Sequence, residues 1–361
     1  MQINEIKPLG EKICDNVERV IIGKTGEIKL IIAALLAGGH VLLEDVPGTG
    51  KTVLAKALAR SIDIGFRRVQ FTPDLLPSEL TGLNVYSPKT GDFNFRRGSL
   101  FTNILLADEI NRASPRTQSG LLESMEERQV SVDGVTYALP SPYFVIATQN
   151  PVETQGTFPL PEAQLDRFLV QLKLGYPDEN ETVGVLKRYV GGGEQAKSGA
   201  GGVTQGGAGA SAEQAAQGGA GAQADRAAQS DAVNAPLLAL KPVAGEADIL
   251  AAMRAVQEIY VHDEVFRYIV RLAEATRTHE AVALGVSTRG CVSLARIAQA
   301  RVALAGRGFV TPDDVKPLAA PVFSHRLILR GGRRSFHSLK VIEDVLASVP
   351  APVETWVKPS G

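Results

Sequence analysis

The chain has 361 residues, 44% apolar and 21% charged, with 38 Lys and Arg against 39 Asp and Glu. That length allows about two domains at roughly 150 residues each. The net charge of -1 excludes the global basic excess of a strongly electrostatic nucleic-acid binder. Cys14 and Cys291 stand alone and none of the five histidines has metal spacing, which argues against a disulfide framework or a zinc site.

Met1 to Gly10 lacks the apolar core of a secretory leader, and the longest apolar run, Leu30 to Gly39, is about half of what a bilayer needs. No transmembrane segment and a cytoplasmic protein are expected.

In chain order, Val41-Leu42-Leu43, Arg68 to Phe71, Ile104 to Ala107, Phe144 to Ala147 and Phe168 to Leu174 read as strands. Runs apolar on both faces suit the middle of a parallel sheet covered by helices. Helices are predicted between them over Lys51–Ser61, Pro115–Glu127 and Glu179–Tyr189. Ser114-Pro115 supplies a cap followed by Pro at the first helical position. Two stretches break the alternation. Asn84 to Ser87 and Phe93 to Phe95 flank a Gly91 turn, and Gln129 to Leu139 surrounds Asp133-Gly134, so each reads as a hairpin inserted into an α/β core.

Residues 191–235 contain twelve Gly and fourteen Ala, with Val203 and Val233 as their only large aliphatic side chains. Such a stretch has too little apolar area to offset ordering entropy, and a flexible linker is expected. Beyond Leu237 the period turns helical. Ile249, Met253, Val256 and Ile259 share one face; Val265, Ile269, Leu272 and Ala273 share another; Val292, Leu294, Ile297, Ala298 and Ala305 continue it. Thr311-Pro312-Asp313-Asp314 has the cap, Pro and acidic first turn of a helix start. The expected layout is an α/β nucleotide domain over 1–190, a linker over 191–236 and a helical domain over 237–361.

Pro47-Gly48-Thr49-Gly50-Lys51-Thr52 follows a strand and opens a helix, the context of a phosphate-binding loop. Gly48 and Gly50 let backbone N–H groups face a phosphate, and the helix N-terminus adds partial positive charge. Lys51 is the candidate for the β/γ-phosphates, and the Thr52 hydroxyl for Mg²⁺. Asp45 stands where the strict motif has its first glycine. Leu105 to Glu109 ends an apolar strand in two carboxylates at the sheet edge where open α/β sheets bind ligands. Asp108 suits Mg²⁺, and Glu109 is a candidate base for the attacking water. The strand at Ala147 to Asn150 ends in amides at the same edge. Asn150 is placed to position water or sense the γ-phosphate, or to cap the strand.

These motifs in this order resemble the AAA+ ATPases, and more closely the MoxR family. Glu44 to Thr52, Ala107 to Ala113, Ala147 to Pro151 and Leu160 to Phe168 are similar to its signatures. The resemblance implies an AAA+ core with a parallel sheet and hairpin insertions, a small all-α lid, ATP and Mg²⁺ as ligands, and nucleotide contacts from Asp45, Pro47, Gly48, Thr49, Gly50, Lys51, Thr52 and Val53. It implies that Arg167 is an arginine finger reaching a neighbouring subunit, although a surface ion pair with Asp166 or Glu162 is the ordinary alternative. It likewise makes Arg289 a second sensor arginine on the lid and Ile22-Gly23 an adenine-side contact, where a helix-start cation and a turn glycine are the alternatives.

The implied function is ATP-driven remodelling or maturation of a protein partner by a ring, a hexamer, with a von Willebrand factor A-domain protein as a possible client. The alternatives are a nucleic-acid motor, a magnesium-chelatase-like motor and a nucleotide switch without turnover. The near-zero charge speaks against nucleic acid.

Overall fold

Strands with no polar face must lie between two covering layers, and the sheet follows that rule. The computed structural model describes residues 1–44, 48–150, 156–189, 236–331 and 335–352. Asp45, Pro47, Pro151 and residues 191–235 of the expected linker lie outside them. The chain divides into one compact unit formed by Met1–Gly175 with the stretch from Lys241 onward, and a second over Tyr176–Leu240.

The first unit opens with α1 (Ile3–Glu18) and α2 (Thr25–Leu36), then β1 (Val41–Glu44), α3 (Lys51–Ile62) and β2 (Phe66–Gln70). The short α4 (Pro77–Thr81) leads into the hairpin β3 (Gly82–Tyr86) and β4 (Phe93–Arg97). After β5 (Ile104–Asp108) and α5 (Pro115–Glu127) comes the second hairpin, β6 (Gln129–Val132) and β7 (Val135–Ala138). Then follow β8 (Phe144–Gln149), α6 (Glu162–Leu165) and β9 (Val170–Leu172). The sheet order is β2-β5-β8-β1-β9, with every neighbouring pair parallel.

Both expected hairpins form, and Phe95 of the first stacks on Tyr137 of the second with ring centroids 3.9 Å apart. α5 begins and ends where its sequence says. The Ser114 Oγ accepts from Thr117 N–H at 3.3 Å, and Arg128 closes the helix in the left-handed region at φ 54°. β2 starts two residues before the expected Arg68 and ends at Gln70, since Phe71 turns into the core and donates its N–H to the Asp108 carbonyl at 2.8 Å. β9 is shorter than expected, because Phe168 and Leu169 pack as an entry turn.

The lid is helical, with helices over Glu246–Gln257, Asp263–Thr278, Thr288–Leu304, Pro312–Phe323 and Ser335–Ser348. Two small ladders pin it: Tyr260–Val261 pairs with Phe309–Val310, and Val282–Leu284 with Ile328–Leu329. Thr311 starts its helix as expected, its N–H donating to Asp314 Oδ2 at 2.9 Å. Val292 is a correction: it is 46% exposed, and Ala305 is also exposed, so the buried stripe of that helix runs through Leu294, Ile297 and Ala298 instead. The Thr288–Leu304 helix packs on α1 and α2. At that contact, a Cβ on Gly10 would sit 2.2 Å from Leu304 Cδ2, so any larger residue there requires the Leu304 side chain to move.

The second unit contains the helix Glu179–Tyr189, as expected. Asp178 and Glu181 exchange reciprocal backbone-to-carboxylate bonds of 2.9 and 2.7 Å at its start. Among the described residues no helix is long and apolar enough to cross a membrane.

Candidate functional site

Backbone geometry at the end of β1 makes a place for an anion. Gly48 and Gly50 have φ of 88° and 85°, left-handed values that glycine adopts without steric cost. Gly50 is the N-cap of α3, and the Leu54 N–H donates to its carbonyl at 2.9 Å. The first turn of α3 carries Lys51, Thr52 and Val53 and no acidic side chain. Its positive N-terminal end is thus not neutralised from within the helix. The turn between α1 and α2 lies close by: Ile21 Cδ1 is 3.8 Å from where a Cβ on Gly50 would stand. Ile22 and Gly23 follow in that turn, Gly23 with φ 75°.

The parallel register brings the polar strand ends to the same edge. Gln70 sits opposite Asp108, and Glu44 opposite Gln149. Asp108 is 8% exposed, and both of its oxygens are engaged. The Thr148 hydroxyl donates to Oδ1 at 2.6 Å, and the Arg68 guanidinium donates to Oδ2 at 2.6 and 3.1 Å. The same Thr148 Oγ1 accepts the Glu109 N–H at 2.8 Å. Glu109 has φ 54°, a strained conformation for a residue with a Cβ. Its Oε2 accepts from Gln70 Nε2 at 2.8 Å and pairs with Arg112 at 3.2 Å. Asn150, just past β8, is buried.

Thr148, Arg68, Gln70 and Arg112 lie within strands and motifs named above but have no expected site role. Gln70 ends a strand at the ligand-binding edge, and Thr148 stands just before the two amides at the end of β8, so position alone marks both.

The two lid-side candidates lie at the opposite edge. Leu169 N–H donates to the His40 carbonyl at 2.8 Å, so Arg167 precedes the start of β9 just as His40 precedes the start of β1. The α5 end is held there too, with His40 Nε2 3.1 Å from the Met125 carbonyl and Nδ1 accepting from Val145 N–H at 3.0 Å. Burial pushes the His40 pKa down to about 4, so the ring is neutral. Next to Met125, Glu126 takes both arginines: Arg167 Nε lies 3.1 Å from Oε2, and Arg289 donates to Oε1 at 2.6 Å. Arg167 thus has an ion pair, but with Glu126 rather than with the expected Asp166 or Glu162. Asp166 is held instead by Arg326, a lid residue that the sequence reading did not single out. Gly48 to Thr52 and the Arg167–Arg289 pair therefore occupy opposite edges of one sheet.

Comparison with known proteins agrees with this geometry. Residues 40–170 match the model of the ATPase family associated with various cellular activities, and residues 274–347 match an AAA lid domain. The chain is 43% identical over 352 residues to the uncharacterized protein YeaC of Bacillus subtilis, covering 97% of both chains. It is 34% identical to Chaperone MoxR1 of Mycobacterium tuberculosis, covering 88% of this chain and 75% of that one. A solved structure from Cytophaga hutchinsonii, described as a candidate ATPase, superimposes with a TM-score of 0.78 at 31% identity, covering 97% of this chain and 96% of the other. With a phosphate-binding turn, two carboxylates at one sheet edge, a helical lid and relatives of this kind, the chain belongs to the MoxR family of AAA+ ATPases.

Proposed function

We propose that the protein hydrolyses ATP and uses the cycle to remodel or mature a protein partner, as a ring of six. The observation that carries this reading is that the Gly48 to Thr52 turn follows β1 while Asp108 ends β5 of the same parallel sheet with Glu109 just after it, so all stand at its carboxyl edge. In this reading the N–H groups of Thr49 to Val53 and the Lys51 ammonium hold the phosphates, with Asp45 and Pro47 as further nucleotide contacts and Ile22-Gly23 bordering the adenine. Glu109 orients the attacking water and takes its proton as the water oxygen bonds to the γ-phosphorus and the bond to the ADP oxygen breaks. Asn150 steadies that water.

Thr52 and Asp108 are the residues that would hold Mg²⁺, which supplies charge neutralisation at the β- and γ-oxygens. The donor set fits, being one hydroxyl and one carboxylate at the end of a strand, with the remaining positions left to phosphate and water. Arg68 must yield Oδ2 of Asp108 for this to happen.

Arg167 and Arg289 sit at the amino edge of the sheet, opposite the edge that carries Lys51. We therefore assign them to the nucleotide of the next protomer, where a fixed guanidinium neutralises charge on the transferring phosphoryl group. A head-to-tail interface of this kind generates a ring when it closes. The layout is a nucleotide domain over 1–190, a tether over 191–236 and a lid over 237–361. The near-zero net charge supports a protein client over nucleic acid, and a protein bearing a von Willebrand factor A domain is the candidate.

The test is a pulldown in ATP with Glu109→Gln beside Lys51→Ala. The expected result is a Glu109→Gln ring that retains ATP and a captured protein, with no nucleotide bound by Lys51→Ala. Turnover by Glu109→Gln at the native rate would overturn the assignment of the base.

A further inference from the structure

Arg326 joins lid to core through several hydrogen bonds. Its side chain is 2% exposed, and its guanidinium lies against the segment that carries Arg167. Nε donates to Asp166 Oδ1 at 2.6 Å. Nη2 donates to the Asp166 carbonyl at 3.1 Å and to the Phe168 carbonyl at 2.7 Å, and Nη1 to the Leu169 carbonyl at 3.3 Å. Thus the residues on both sides of Arg167 are bound by one lid group. On its own side the guanidinium is steadied by the Val322 carbonyl and by Ser293 Oγ at 3.2 Å. Ser287 Oγ, the cap of the helix that carries Arg289, donates to the other Asp166 oxygen at 3.1 Å. The turn holding Arg167 and the helix start holding Arg289 are therefore fixed to each other through Asp166 and Arg326.

We propose that Arg326 is a positioning residue for the Arg167–Arg289 pair: a lid guanidinium that sets the backbone of Asp166 to Leu169 so that both arginines are presented to the neighbouring subunit's phosphates as one unit. The physical case is the planarity of the fork. Five N–H donors in fixed directions can hold the carbonyls of Asp166, Phe168 and Leu169 and a carboxylate only with the backbone in one conformation, which a lysine cannot impose. A finger side chain itself has several rotatable bonds, so its accuracy depends on the anchor beneath it. The proposal rests on the reading that Arg167 acts on a neighbouring subunit, and the experiment separates the two.

The experiment mixes two full-length proteins, each inactive alone. Arg167→Ala binds ATP but gives no finger; Lys51→Ala gives a finger but binds no ATP. Recovery of ATPase activity on mixing supports action across the interface, and no recovery overturns that reading. Arg326→Gln is then added to the Lys51→Ala partner. The expected result is a kcat lower by roughly 10- to 100-fold at unchanged KM for ATP, the scale of an ångström-level misplacement. When Arg326→Gln is placed in the Arg167→Ala partner instead, the recovered rate should persist, because that subunit's finger is already absent. This arm also reports that the altered chain folds. Equal loss in both arms would mean a merely structural role, and no loss in the first arm would mean that Arg326 does not position the finger. Asp166→Asn, which keeps the volume and the backbone contacts but removes the charge, is the milder companion, with the same asymmetry expected at smaller size. Symmetric loss or no loss from Asp166→Asn counts against the proposal in the same way.

Discussion

Thr148 donates its hydroxyl hydrogen to Asp108 at 2.6 Å and, through the same oxygen, receives the N–H of Glu109 at 2.8 Å. One buried hydroxyl thus holds the carboxylate of Asp108, assigned to Mg²⁺, and the backbone of Glu109, assigned to water. Thr148→Val keeps the shape and removes the link. It leaves a buried N–H without its acceptor, and the expected cost is about 1–3 kcal/mol of unfolding free energy. In ATPase assays kcat should fall by roughly 10-fold or more, with KM little changed. A rate within a factor of two of the native protein would mean that the strand ends alone orient the carboxylates.

Two ion pairs near the amino edge of the sheet should differ sharply in their contribution to stability. Glu126 meets Arg167 and Arg289 where all three side chains are 29–48% exposed, and Glu126→Gln should cost less than about 1 kcal/mol in urea unfolding. Arg326 is enclosed, and its replacement by Met leaves Asp166 without its charged partner and several carbonyls without a donor, at a cost of roughly 3–5 kcal/mol. Comparable values for the two variants would refute the burial argument.

His40 ties the starts of β1 and β8 to the end of α5 as a neutral ring. Its folded pKa of about 4 lies below the unfolded value of about 6.5. The unfolded chain therefore takes up this proton first as pH falls. The contribution is fully present above about pH 6.5 and is lost between about 6.5 and 4, on the order of 3 kcal/mol in all. Unfolding free energy measured at several pH values in this window should fall more steeply for the native protein than for His40→Gln. Parallel slopes would contradict the assignment.

Gly39 and Gly48 are needed for different reasons. A Cβ on Gly39 would stand 2.4 Å from Leu169 Cβ, so Gly39→Ala must displace the turn after Arg167, at about 1–3 kcal/mol. A Cβ on Gly48 meets nothing within 4 Å, and the cost of Gly48→Ala is the left-handed backbone alone, about 1–2 kcal/mol. Thermal unfolding compares the stabilities. Nucleotide affinity should fall for Gly48→Ala and not for Gly39→Ala.

Much of this was readable from local pattern. The central strands are apolar up to their carboxyl ends, and α5 carries its cap, its Pro and its stop between Ser114 and Arg128, so their bounds follow from short-range chemistry. The hairpin at Asp133-Gly134 needs only its turn. α1 contains Gly10 and Pro8, which obscure its pattern, and its buried face meets α2, α3 and the Thr288–Leu304 helix only in the folded chain. The site divides in the same way. Gly48, Lys51, Thr52 and Asp108 are contiguous motifs, whereas Arg326 and Asp166 are 160 positions apart and Glu126 and Arg289 are 163 apart. Nothing local marks one arginine of a helix end as the partner of a distant aspartate; only the folded chain brings them into register.

The two edges of the sheet give each subunit a direction. In the trans reading one edge receives a nucleotide and the other offers the guanidinium groups that complete someone else's. An open row of subunits then always ends with one nucleotide lacking its arginines and one arginine pair with nothing to serve. Closure joins those two ends, so hydrolytic capacity per subunit reaches its maximum only when no end remains. A plot of specific activity against protein concentration should therefore rise with assembly and level off at the concentration where the last gap is filled.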